Sequence, residues 1–340
     1  MREAQGPPGP PWERPLSGTL DRLTVVSEVL QGNRLGDPPV RPLYVYTAPG
    51  VGDEPLPAVY VLQSYSGQLD MWLARKPFEP TAIERLDAMF AGGACPPAIV
   101  VFVDAWTSLG GSQFLNSPAT GRYMDYVCDE VVPFVDDRYP TLRGREHRGV
   151  SGHSSGGYGA IVCSMLRPDV FGAFASHAGD ALFEYCYLRD FPLVARALRD
   201  HFDGSLDTFL EQVAQADPFD WGRYGTVLSV YACAAAYTDE ALLPFEVATG
   251  RLIDEVWRRW LNHDPVRMAS RHADALRSMR RIYLDAGRRD EYFLDLGAQA
   301  FAAELKQLGA SYSLELFDGR HGGVSHRYPA AIRELVTALR

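Results

Sequence analysis

Apolar residues in this chain cluster into short dense runs, and between the runs they recur at helical spacing. Residues 58–63, 98–104, 147–151, 171–177, 281–286 and 312–317 have the length and β-branched or aromatic content of buried strands. Residues 81–90, 124–138, 292–308 and 328–339, with the segment just after Ser154, read as helices. Strand and helix alternating in this way predicts a parallel sheet joined by crossover helices. Two earlier strands, 23–30 and 43–46, flank a turn-rich segment at 31–42, which predicts a hairpin at one edge of the sheet. Between residues 180 and 264 the rhythm changes to a helical, aromatic-rich stretch. There Ile253, Val256, Trp257 and Trp260 share one helix face. Because strands resume afterwards, this stretch is an insertion into the sheet domain. Most of its aromatics are expected to form its own core and the rest to line an acyl or aryl pocket.

Composition narrows the class. With 340 residues and 46% hydrophobic content, the chain can bury a large core. The expected division is a disordered Pro- and Gly-rich tail over residues 1–20, then one α/β domain over residues 21–340. A net charge of −10 disfavours nucleic acid or an anionic membrane as partner and suits a small-molecule ligand. The longest dense apolar run, 98–103, falls far short of the roughly 18–20 residues that cross a bilayer. The amino end lacks the apolar region of a secretory signal, so the expected location is cytoplasmic. Cys95, Cys128, Cys163, Cys186 and Cys233 are scattered and odd in number, as reduced core thiols would be. No heptad pattern marks an oligomer interface.

The sharpest chemical signal is Gly152-His153-Ser154-Ser155-Gly156. A serine raised on a tight strand-to-helix turn crowds its neighbours, so residues without Cβ are needed two positions either side. Ser154 is therefore the candidate nucleophile. A hydroxyl needs a base, and the base a carboxylate, in the chain order serine, acid, histidine. Two later strands end in candidates: Asp285, Asp290 and Glu291 at the end of the first, His321 and His326 after the second. Both lie at carboxyl ends of strands, where parallel sheets place their sites.

Residues 58–67, the Gly110-Gly111-Ser112-Gln113 segment through Asp136, the elbow, and the Gly287-Arg288-Arg289-Asp290 and Gly319-Arg320-His321 pair together resemble the putative-esterase branch of the α/β-hydrolases. That group includes S-formylglutathione hydrolases, feruloyl esterases, enterochelin-type esterases and mycolyltransferases. The resemblance runs from about residue 40 to the end, and the aromatic insertion is its least matched part. It implies an α/β-hydrolase fold, with Asp290 as the acid and His321 as the base. For the oxyanion it implies two backbone donors, Ser155 and a residue of the loop after 58–63. In the family that loop commonly reads His-Gly or Ser-Gly before the donor; here it reads Gln63-Ser64-Tyr65-Ser66-Gly67, which maps the donor onto Tyr65, with Ser66 as the alternative. Ser66, Trp106, Gln113, Asn116 and Asp180 are expected to border the substrate. The implied activity is that of a serine carboxylesterase acting on a small apolar-acyl or aryl ester through an acyl-enzyme on Ser154, without metal or organic cofactor. Transfer of the acyl group to an alcohol or amine is the nearest alternative, and a binding protein on a hydrolase fold is the alternative from another class.

Overall fold

The computed structural model describes residues 14–52 and 54–340. Eight strands form one sheet in the order β1-β2-β4-β3-β5-β6-β7-β8. They are β1 (Thr19–Val26), β2 (Val40–Thr47), β3 (Ala58–Leu62), β4 (Ile99–Val103), β5 (Arg148–His153), β6 (Ala173–His177), β7 (Arg281–Gly287) and β8 (Ser313–Phe317). The strands from β3 onward are mutually parallel, whereas β1 pairs antiparallel with β2 and β2 antiparallel with β4. The predicted hairpin is therefore present, with β1 on the edge.

Continuous apolar strands follow from burial on both faces. In β4, Ile99, Val101 and Val103 enter one core while Val100 and Phe102 enter the other. The first core is closed by α2 (Ser155–Leu166) and the helical segment Tyr123–Asp136; the second by α1 (Ala82–Ala91) and the closing helix Tyr328–Leu339. The insertion contributes helices Phe191–His201, Leu206–Ala214, Trp221–Tyr237 and Asp254–Leu261. Its Phe183, Phe191, Trp257 and Trp260 are buried in continuity with the first core. All five cysteines are buried and free. No helix of the described residues is long and apolar enough to cross a membrane.

Three expectations change. The first strand runs over Thr19–Val26 rather than 23–30, because the backbone N–H groups of Glu28 and Val29 turn to the Glu130 carboxylate at 2.8 and 3.0 Å and leave the ladder. The helix expected over 124–138 is widened across Tyr126–Val131, where Pro133 supplies no donor to the preceding turn. Residues 14–20, expected to belong to a disordered tail, are held in place: Arg14 N–H donates to Glu84 and Gly18 N–H to Asp87, and β1 begins at Thr19. Residues 1–13 lie outside the described residues.

Candidate active site

Strand register assembles the site. Leu62 pairs with Gly152, His153 with His177, His177 with Asp285, and Phe317 with Gly287. The loops that follow these carboxyl ends carry Tyr65, Ser154, Asp180, Asp290 and His321 along one edge of the sheet.

Ser154 links β5 to α2 with φ 58° and ψ −123°, a strained conformation for a residue with a side chain. The flanking glycines are sterically required. A Cβ on Gly152 would lie 2.3 Å from the Gly156 backbone, and one on Gly156 would lie 2.4 Å from Leu62 O. Gly156→Ala must therefore push β3 and its loop away from the elbow. The expected cost is about 3 kcal/mol, read as a drop of several degrees in thermal midpoint. An unchanged midpoint would mean that the strand can yield at no cost.

Ser154 Oγ lies 3.0 Å from His321 Nε2, and His321 Nδ1 lies 2.8 Å from Asp290 Oδ2. The Asp290 side chain is fully buried, and its Oδ1 accepts the Tyr292 N–H at 2.8 Å. The imidazole is held from two further sides. Tyr292 packs edge-on against it at 4.8 Å between centroids, and Glu291 accepts the His321 backbone N–H at 2.9 Å while pairing with Arg320. That backbone bond, together with Arg320, holds the Glu291 carboxyl below its ordinary range.

The rival candidates are placed elsewhere. His326 is exposed and its Nδ1 meets Gly323 O. Asp285 is buried against His177 at 2.8 Å and Arg327 at 3.0 Å. Burial pushes its carboxyl up, but His177 and Arg327 outweigh this and hold it below the ordinary range.

The Ser155 N–H opens a twelve-residue helix, where the first amides have no intrahelical acceptor and the helix dipole favours negative charge. Across from it, the Tyr65 loop is stapled down. Tyr65 Oη donates to Leu109 O at 2.9 Å, Ser66 N–H donates to Gly110 O at 2.7 Å, and a Cβ on Gly110 would strike the Tyr65 ring at 2.9 Å. The Ser66 amide is thus already occupied, which leaves Tyr65 as the loop's candidate donor.

A cavity of about 280 Å³ opens onto Ser154 and His321. Ser64, Tyr65, Ser66, Gln113, Ser155 and Asp180 line it with Tyr187, Trp221, Cys233 and Tyr292. Gln113, at φ 52°, is fixed by a buried network: its Nε2 lies 3.0 Å from Asp180 and 2.9 Å from Tyr237 Oη, and its Oε1 accepts from Ser155 Oγ. Tyr187 donates to the same Asp180 oxygen at 2.7 Å. Burial raises the Asp180 carboxyl above its ordinary range, partly offset by these two donors.

Trp106 and Asn116 are outside the cavity lining, contrary to the sequence expectation. The Trp106 carbonyl serves Arg41 and Tyr123, and exposed Asn116 bonds Asp125 and the Met124 and Asp125 amides. Sequence reasoning also missed Ser64, His153 and Tyr292 as site residues. His153 was signalled only by its place inside the elbow.

The sequence model of one family, described as Putative esterase, matches residues 44–334. The Iron(III) enterobactin esterase of Dickeya dadantii (strain 3937) is 29% identical over 163 residues, which cover 46% of this chain and 33% of that protein. The chain thus spans about a third of the length of that curated relative. Among solved structures, a ferulic acid esterase superposes with a TM-score of 0.59 at 17% identity, covering 96% of this chain and 100% of that one. FphF, a fluorophosphonate-binding serine hydrolase of Staphylococcus aureus, does so with 0.58 at 17% identity over 95% and 99% of the two chains. S-formylglutathione hydrolase from Agrobacterium tumefaciens gives 0.57 at 14% identity over 96% and 98%. The likeness to these structures shows the fold, the α/β-hydrolase arrangement with its mostly parallel sheet.

Proposed function

The chain belongs to the putative-esterase family, and from that premise we propose that it is a serine-type ester hydrolase in which Ser154, His321 and Asp290 carry the reaction through an acyl-enzyme. The observation that supports this is the continuous line of contacts at 3.0 and 2.8 Å from hydroxyl to imidazole to buried carboxylate. Ser154 Oγ attacks the ester carbonyl as its proton passes to His321 Nε2. Asp290 holds the Nδ1 proton and balances the imidazolium. The Ser155 and Tyr65 amides receive the carbonyl oxygen as it becomes negative. His321 then returns its proton to the departing alcohol, and water, activated by the same imidazole, releases the acid and regenerates Ser154.

The substrate is read as an ester of a small apolar or aryl acid. The cavity of about 280 Å³ sits near the lower end of ligand pockets, roughly 300–1,000 Å³. Tyr187, Trp221, Val230, Cys233 and Leu294 give it apolar walls. The test is treatment with a fluorophosphonate followed by intact mass and peptide mapping, alongside turnover of p-nitrophenyl esters of graded acyl length. A single adduct on Ser154 and fastest turnover of short or aryl acyl groups are expected. An adduct elsewhere, or none on folded protein, overturns the assignment.

A further inference from the structure

His153 touches no reacting atom in the scheme above, yet it sits between the two loops on which that scheme depends. Its Nε2 lies 2.9 Å from the backbone carbonyl of His321, and its Nδ1 lies 2.9 Å from Ser64 Oγ. The imidazole rings of His153 and His321 are 4.6 Å apart between centroids. A carbonyl can only accept, so Nε2 carries the proton and Nδ1 accepts the Ser64 O–H. Burial pushes the His153 ring down to about 3, helped by the neighbouring charges of His321 and His177, and it therefore stays neutral beside an imidazole that must become charged.

Ser64 stands where the resembling family usually has glycine, immediately before Tyr65. Packing alone does not hold it. The Ser64–His153 pair borders the catalytic cavity and also a second cavity of about 290 Å³, bounded by Trp72, Lys76 and Tyr328. Both cavities are lined by Ser64 and His153. The bonds of the pair therefore add to those from Leu109 and Gly110 that already hold the Tyr65 loop.

We infer that His153 and Ser64 are positioning residues, a hydrogen-bonded strut from the oxyanion loop through the elbow to the backbone of His321, setting the Tyr65 amide and the base in register with Ser154. The inference rests on the catalytic reading given under Proposed function, and the test separates the two. Active sites are first titrated with a fluorophosphonate, and kcat is then expressed per reactive serine. Misplacement by about an ångström costs up to on the order of 100-fold in rate. On that scale Ser64→Ala is expected to lower per-site kcat about 10-fold and His153→Leu about 100-fold, each with KM changed less than about twofold. Ser64→Thr, which keeps the hydroxyl, and His153→Gln, which can donate and accept at similar positions, are expected to recover most of the rate. Because the strut acts as one unit, adding Ser64→Ala to His153→Leu should cost nothing further.

Loss of titratable sites with unchanged per-site kcat would show a merely structural role and overturn the inference. Additive losses in the double variant would overturn it too, by giving Ser64 a separate substrate contact. Failure of the unaltered protein to label on Ser154 would instead overturn the catalytic reading beneath it.

Discussion

Replacement of Ser154 by alanine is expected to reduce kcat by on the order of 10⁶, the scale on which triad hydrolases lose turnover when the nucleophile is removed. Nearly all of that loss lies in the chemical step. The hydroxyl's contact is His321 Nε2 at 3.0 Å, and among the described residues no other side chain bonds to it. Substrate should therefore bind as before, and equilibrium titration with an ester that the variant cannot turn over should give an affinity close to the KM of the unaltered enzyme. Stability should also change little. The strained φ of 58° persists with alanine, and the hydrogen bond lost is worth about 1 kcal/mol. Stopped assays on purified, folded Ser154→Ala protein measure both quantities. Residual turnover at a hundredth of the normal rate would mean that another nucleophile carries the reaction.

The parts of this site legible in the sequence are those whose chemistry is written in local spacing. Gly152 and Gly156 could be read because a Cβ at either place meets backbone within 2.4 Å, an obstacle that no rearrangement of side chains relieves. The sheet was legible because β3 and β4 are buried on both faces and so carry unbroken apolar runs. Asp290, Asp285 and Glu291 could not be separated by spacing alone, since all three lie at or just beyond the end of one strand and their roles depend on which way each carboxylate faces. Asp285 lies within β7 and turns to His177 on β6, a contact set by the register of two strands about a hundred residues apart in sequence. The same reason hid the Ser64–His153 bond and the Gln113–Asp180–Tyr187 network, which join side chains from segments distant in sequence. The expectation for Trp106 and Asn116 fails because their bonds go to Arg41 and Tyr123 and to the segment at Met124 and Asp125, partners that spacing along the loop does not reveal.

Asp290→Asn and Asp285→Asn should fail in opposite ways, which makes the pair the most discriminating test of the acid. Asparagine at 290 keeps an oxygen for the Tyr292 amide but can present an N–H₂ group to His321 Nδ1. Nδ1 must then accept, the ring proton moves to Nε2, and Nε2 can no longer take the proton of Ser154. A wrong tautomer of this kind lowers kcat by on the order of 10⁴ while leaving the fold intact. Thermal unfolding of Asp290→Asn should accordingly resemble that of the unaltered protein. At 285 the same exchange removes a buried charge that His177 and Arg327 both face, and Arg327 keeps Glu315 as its remaining carboxylate partner. Breaking one member out of a buried ion pair costs about 3 kcal/mol or more, so the midpoint should fall by several degrees. Below that midpoint the folded Asp285→Asn enzyme should retain kcat within a few-fold, because His321 keeps its own carboxylate. Retained activity in Asp290→Asn together with lost activity in folded Asp285→Asn would reverse the assignment, transferring the role of acid to the strand residue and leaving the 2.8 Å contact between Asp290 and His321 without a part in the reaction.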